Sequence, residues 1–122
     1  MEYNNFKPDF KTSIEILLCD IGVPVYLKGF HIIRNMVLIM YDYSKTIGEA
    51  YEIAAQMDTD NGFPSTRSSI GRNMNHAIRR CFTSELGVQK REKVFRGTYY
   101  YMSNREFLQY VILYLKQQNR VV

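Results

Sequence analysis

Apolar residues recur every three or four positions along most of the 122-residue chain, in segments separated by short breaks, and this spacing constrains the fold most strongly. Residues at such intervals lie on one face of an α-helix, where they can be buried together. Apolar types make up 46% of the composition, which is ample for one core, and the length suits one domain. We therefore predict an all-α, compact single domain of about six helices over residues 1–122.

Caps and breaks set the expected limits of these helices. Thr12 and Glu15 have the spacing of a capping box, and so do Ser103 and Glu106 near the other end of the chain. The third predicted helix is either continuous or broken near Gly48, because glycine weakens a helix interior. The predicted helices cover residues 12–20, 29–42, 46–57, 65–82 and 89–96 and a last segment that begins near 103, with 97–101 as an extended connection or a short strand.

Residues 58–64 form the clearest break in the chain. Every residue there except Phe63 is a turn-forming, capping or helix-breaking type. A helix precedes this break, and a basic, polar helix follows it at Ser65 or Thr66. That order is typical of a helix-turn-helix, which we predict at about 49–82, although the usual turn has only three or four residues.

The helix predicted after the break has two contrasting faces. Ile70, Met74, Ala77 and Cys81 share one narrow apolar sector, whereas the opposite sector is polar and basic. Arginine can fork onto the acceptors of guanine, asparagine can pair with adenine, and serine can donate or accept. A solvated helix surface is the plainer interpretation of such a face. We predict that the residues reading DNA bases are Ser68, Ser69, Arg72, Asn75 and His76.

Charge is divided unevenly along the chain. Residues 1–64 carry five basic and nine acidic residues, and residues 65–122 carry eleven and three, so their net charges of −4 and +8 give +4 in total. A basic half suits a large anion such as nucleic acid, although it can also serve only to solvate helices. The residues predicted to lie at or near DNA phosphates are Ser65, Thr66, Arg67, Arg79, Lys90, Arg91, Lys93 and Arg96.

The sequence offers no pattern of a catalytic or metal site. His31 and His76 have no suitably spaced acidic or cysteine partner, and Cys19 and Cys81 are isolated within apolar patterns, as reduced core thiols are. We predict no enzymatic activity, no metal, no cofactor and no small-molecule substrate.

No targeting or membrane segment is expected either. No stretch approaches the roughly eighteen consecutive apolar residues of a membrane span. The first residues carry an acid where a signal peptide carries basic residues. We therefore predict a cytoplasmic location and no membrane partner.

Four stretches of the chain resemble the C-terminal DNA-binding effector domain of the stage-zero sporulation regulators. They are Gly-Val-Pro followed by Leu-Lys-Gly-Phe and an arginine within 21–34, Glu-Ile-Ala at 52–54, the helix at 65–78, and Ser-Asn-Arg-Glu-Phe at 103–107. The resemblance touches most of residues 14–115. It implies a six-helix domain that binds double-stranded DNA in the major groove, as tandem copies on adjacent sites or as a homodimer.

The chain departs from that family in two ways. The family commonly has Arg, Glu, Arg, Arg and His where this chain has Ser69, Gly71, Arg72, Asn75 and His76, so the family's DNA site does not transfer directly. Only some thirteen residues precede the region of resemblance that begins at 14, against about a hundred for a phosphorylated receiver domain. We therefore expect a stand-alone transcription regulator, with sporulation as the family process, that is not phosphorylated in cis.

Two other functions remain open at this point. Gly71, Asn75 and the long break favour a protein-interaction module that kept the fold and modulates a full-length regulator without reading DNA. The tyrosines at 99–101 suit stacking on single-stranded nucleic acid, although a role in covering the core is the simpler interpretation.

Overall fold

The computed structural model describes residues 8–120 as six α-helices joined by short connections. They are α1 (Pro8–Asp20), α2 (Lys28–Asp42), α3 (Ile47–Asp60), α4 (Arg67–Thr83), α5 (Val88–Phe95) and α6 (Asn104–Arg120). The described residues form no β-strand, so 97–101 is an irregular connection. The predicted all-α fold of about six helices is therefore confirmed.

Side-chain caps begin α3, α4 and α6. Thr46 and Glu49 form a reciprocal capping box at α3, which is continuous through Gly48. Ser103 and Glu106 exchange the same pair of hydrogen bonds before α6, as predicted. The predicted start at Thr12 is wrong, because α1 begins at Pro8, a residue type that suits a first helical turn.

The third helix is longer than predicted, so the break after it is shorter. The Thr59 hydroxyl donates to the Ala55 carbonyl, and the Gln56 amide donates to the Asp60 carboxylate at 2.7 Å, both within the last turn. Gly62 has a φ of +87°, which suits glycine, and it follows the end of the helix. The connection between α3 and α4 therefore consists of residues 61–66.

The second helix lies at the centre of the domain. It packs against α1, α3, α4 and α6, and eight of its residues are buried. A single apolar cluster includes side chains from all six helices. The ring of Phe95 in α5 lies 5.3 Å from that of Phe82 and 5.2 Å from that of Phe107, which attaches α5 to α4 and α6. The described helices include none that is both long and apolar enough to cross a membrane.

Candidate nucleic-acid interface

The fourth helix buries its apolar face and exposes its polar one. Ile70, Met74, Ala77 and Cys81 are completely buried against the core. Ser68, Arg72, His76 and Arg79 are exposed on the other side, and Asn75 is half-buried among them. The orientation predicted from the apolar spacing is therefore present.

This polar face forms an open depression of about 530 Å³. It is not an enclosed pocket of the kind that takes up most of a small ligand's surface. Six of the lining residues come from α4 and one comes from the start of α6. They are Ser68, Gly71, Arg72, Asn75, His76, Arg79 and Asn104.

A hydrogen-bonded network includes three residues that line the depression, Gly71, Asn75 and Asn104. The Asn104 Nδ2 donates to the Gly71 carbonyl oxygen at 3.0 Å and to the Tyr51 hydroxyl at 3.1 Å. The Asn75 Nδ2 donates to the Tyr101 hydroxyl at 3.0 Å and lies 3.4 Å from the Asn104 Oδ1. These contacts join α3, α4, α6 and the connection before α6. We call this set of five residues the amide network.

Three arginines of α4 lie over tyrosine rings from other parts of the chain. Each guanidinium carbon is 5.4–5.9 Å from a ring centre, which is within the range of a cation–π interaction. Arg67 also contacts Glu52 at 3.6 Å, but both side chains remain largely exposed and this ion pair adds little stability. The pairs are Arg67 with Tyr51, Arg79 with Tyr101, and Arg80 with Tyr26.

The hydroxyls of Ser65, Thr66 and Ser69 are used at the start of α4, where Thr66 and Ser69 form a reciprocal cap. The Thr66 hydroxyl accepts from the Ser69 backbone N–H, while the Ser69 hydroxyl accepts from the Thr66 N–H and donates to the Thr66 carbonyl. Ser65 contacts the Ser69 hydroxyl at 3.0 Å. The prediction that Ser69 reads a base is therefore corrected, because its hydroxyl is occupied by the cap.

The structure also corrects the prediction that Arg91 lies at phosphates. Its side chain is only 8% exposed, and its guanidinium donates to the carbonyl oxygens of Ile21, Ser84 and Leu86 at 2.7–2.9 Å. Arg91 therefore joins the segment after α1 to the connection before α5. Gly22 has a φ of +98°, and a Cβ there would lie 2.8 Å from this guanidinium.

The other predicted basic residues of the α5 region are not brought into the α4 depression. The Lys90 ammonium donates to the Tyr114 hydroxyl at 2.8 Å and lines a groove between α1 and α6. Lys93 and Arg96 are exposed, and Arg96 ends α5 in the left-handed conformation. Four predicted phosphate residues follow α4. Of these, Arg91 is buried and Lys90 lines the groove, so Lys93 and Arg96 are the two that are exposed outside it.

The cysteines and histidines of the described residues do not form a reactive cluster. The Cys81 thiol donates to the Ile21 carbonyl, and burial raises the pKa of this thiol to about 12. Partial burial, followed by the charge of Arg34, lowers the pKa of His31. Within residues 8–120 no three His, Cys, Asp or Glu side chains meet as metal ligands would.

The sequence analysis did not place Tyr51, Tyr101 or Asn104 at the predicted duplex-DNA interface. Asn104 lies 33 residues from Gly71, and Tyr101 lies 26 residues from Asn75, so no local spacing connects either pair. The only available signal was the position of both residues beside a predicted helix start.

Comparison of the chain with protein-family models and with curated protein sequences finds no match.

Proposed function

We propose that the protein binds double-stranded DNA in a sequence-specific manner and regulates transcription in the cytoplasm. In this proposal α3 and α4 act as a helix-turn-helix, with α4 lying in the major groove as the recognition helix. The function is recognition of DNA rather than catalysis. The observation that carries the proposal is the exposed face of α4, which combines basic and amide side chains over a buried apolar spine.

Two residues of this face are well suited to base reading. Arg72 and His76 are exposed, and among the described residues neither forms a hydrogen bond or an ion pair. Arginine can present two parallel N–H donors to the O6 and N7 acceptors of guanine, which is the commonest specific contact in the major groove. We assign Arg72 to this role, with His76 and Ser68 beside it.

Other groups on α4 can bind DNA phosphates, which are contacts that do not depend on the base sequence. Arg79 and Arg80 remain exposed although each lies over a tyrosine ring. The backbone N–H groups of Arg67 and Ser68 are at the first two helical positions, where no intrahelical acceptor exists. Both types of group bind phosphate oxygens and set the register of a protein on DNA without reading its sequence.

The test is selection from a random duplex pool, followed by affinity measurements across a salt series. We expect a preferred site to be enriched and the logarithm of the binding constant to fall linearly with the logarithm of the salt concentration, by about 0.9 for each phosphate neutralised. Competition with single strands of the same sequences separates duplex binding from stacking on the tyrosines at 99–101. Enrichment of no site, or tighter binding of single strands, contradicts the proposal.

One observation favours the second candidate function, a protein-interaction module without DNA reading. Phe63 lies in the connection between α3 and α4 and is 63% exposed, as an aromatic anchor for a protein partner would be. The same salt series separates the two functions, because a module of that kind shows no salt-dependent affinity for duplex DNA.

A further inference from the structure

The amide network has a defined hydrogen-bond polarity, because it begins at a backbone carbonyl. The Gly71 carbonyl oxygen can only accept, so the Asn104 atom 3.0 Å away is its Nδ2 and donates. The second hydrogen of this Nδ2 faces the Tyr51 hydroxyl. The Oδ1 of Asn104 is thereby left as the acceptor that faces Asn75.

The orientation of the Asn104 amide in turn fixes the orientation of the Asn75 amide. Because the Asn104 Oδ1 accepts, the Asn75 atom nearest to it is the Nδ2. The other hydrogen of that Nδ2 is directed to the Tyr101 hydroxyl at 3.0 Å. Both amide hydrogens of Asn75 therefore have partners within the protein, and its carbonyl oxygen is the group left for a ligand.

We infer that Asn75 presents an acceptor to DNA, and that α4 therefore selects a base carrying an exocyclic amine on the strand that Asn75 faces. This inference rests on the proposed function and specifies the preference of one position in the site. In the major groove adenine and cytosine expose such amines, whereas guanine and thymine expose acceptors there. The two-bond pairing of asparagine with adenine needs a free amide hydrogen and is excluded by the network.

Tyr101 is the positioning residue in this arrangement. Its hydroxyl oxygen accepts from Asn75, so its own hydrogen remains available for a phosphate oxygen. Removal of this hydroxyl releases one hydrogen of the Asn75 amide, which can then donate to guanine or thymine. Tyr101 thus determines which bases can pair with Asn75, although Tyr101 itself contacts no base in this proposal.

The experiment compares wild-type protein with Tyr101→Phe, using Tyr100→Phe as the matched control. Tyr100 is 91% exposed and lies outside the amide network, so its substitution removes a hydroxyl without altering Asn75. The base position that depends on Asn75 is first located as the one whose preference disappears in Asn75→Ala. All four bases are then placed at that position, together with unsubstituted purine, which lacks the amine of adenine.

For wild type and Tyr100→Phe we expect adenine and cytosine to bind about 3- to 10-fold more tightly than guanine, thymine or purine, as suits one hydrogen bond. For Tyr101→Phe the advantage of cytosine over guanine and thymine should fall to about twofold or less, while thermal unfolding stays cooperative. Adenine should keep its advantage in this variant, because the freed amide hydrogen permits the two-bond pairing. A merely structural network would change the melting temperature and leave the base preference intact. In the free protein, we also expect nuclear Overhauser contacts between the Asn75 amide hydrogens and the Tyr101 ring.

A preference for guanine or thymine at the position that depends on Asn75, or an unchanged preference in Tyr101→Phe, overturns this inference and leaves the proposed function standing. Absence of the Overhauser contacts also overturns it. Failure of the wild-type protein to prefer any duplex overturns the proposed function, and the inference with it.

Discussion

The backbone of Gly29 in α2 lies directly against the carbonyl oxygen of Asn73 in α4. A Cβ atom at position 29 would overlap this oxygen and would lie 2.6 Å from the Ala77 methyl carbon. The overlapping atom belongs to the backbone of α4 and not to the end of a flexible side chain. One of the two helices would therefore have to move to make room for the Cβ atom. Gly29 therefore sets how closely the central helix approaches the helix that carries the candidate interface.

We expect Gly29→Ala to lower the free energy of unfolding by about 1–3 kcal/mol, as overpacking of a close contact does. Urea denaturation followed by circular dichroism measures the change. If Gly29→Ala is as stable as wild type, α2 and α4 can move apart without a loss in the free energy of unfolding.

The opposite result is expected at Gly71, which also lies in a helix interior. A Cβ there would be 3.8 Å from the Tyr51 ring and 3.9 Å from the Asn104 Nδ2, which are ordinary van der Waals distances. Alanine should raise the free energy of unfolding by about 0.4–1 kcal/mol, because it restricts the unfolded chain and has a higher helix propensity. The same denaturation experiment provides the comparison with Gly29→Ala. A loss of stability would instead indicate that the amide network rejects the added methyl group.

Among the described residues, Arg91 is the one charged or polar residue that is buried. Arg91→Ala removes this donor from the carbonyl oxygens of Ile21, Ser84 and Leu86, although the Ile21 carbonyl keeps the Cys81 thiol as a weak donor. The loss of a hydrogen-bond partner by a buried acceptor is unfavourable. We expect a loss of about 2 kcal/mol or more in the free energy of unfolding. Lys93→Ala, two residues further along α5 and exposed, should remain within about 0.5 kcal/mol of wild type. Equal effects of the two substitutions would contradict the structural role of Arg91.

The helices could be predicted from the sequence because their main determinants are local. Apolar spacing and the caps at Thr46, Thr66 and Ser103 lie within a few residues of the helices they specify. The errors have local causes as well. Pro8 is typical of a helix start, but the capping-box spacing at Thr12 favoured a later one. Residues 58–60 continue α3 although their residue types favour turns.

The hydrogen bonding of the candidate interface could not be predicted in the same way. Spacing was sufficient to place Arg72 and Asn75 on the exposed face of α4. The partners of Asn75, however, come from residues 26 and 29 positions away, and those of Arg91 from up to 70 positions away. Such pairs depend on how whole helices pack, which no periodicity within one helix describes.

The pH dependence of stability should include a contribution from His31. The Arg34 Nη1 lies 3.2 Å from the Nδ1 of His31, where it can donate to the neutral ring but repels the protonated one. The negative charge of Glu15, which pairs with Arg34, partly offsets this repulsion. Because partial burial and Arg34 lower the pKa of His31 in the folded state, the unfolded chain binds the proton more readily. This contribution is therefore present above the unfolded value of 6.5 and is lost as the pH falls below it.

We expect His31→Gln to reduce the decline in the free energy of unfolding between about pH 7 and pH 5, the interval in which histidine titrates. The measurement is urea denaturation at a series of pH values. His76→Gln is the control, because it alters the exposed face of α4 and leaves His31 in place. A steeper decline in His31→Gln than in wild type would mean that the sign of this contribution is wrong.

Arg72 should determine specificity, and Lys93 only general affinity. Arg72→Ala removes a side chain that can form two parallel hydrogen bonds with guanine, and we expect the selected site to lose about 1–3 kcal/mol of binding free energy while random duplexes lose little. Lys93 is exposed on α5 outside the depression, so we assign its charge to phosphates in the proposed complex. Lys93→Ala should weaken all duplexes alike and reduce the salt slope by about 1.

Fluorescence anisotropy with the selected site and a scrambled duplex, each at several salt concentrations, separates these two effects. The ratio of the two dissociation constants reports base reading, and the salt slope reports phosphate contacts. An unchanged ratio in Arg72→Ala would remove that residue from base reading even if the total affinity fell. Because Arg72 has no other partner among the described residues, its substitution should leave the melting temperature nearly unchanged, so a loss of specificity cannot be attributed to unfolding.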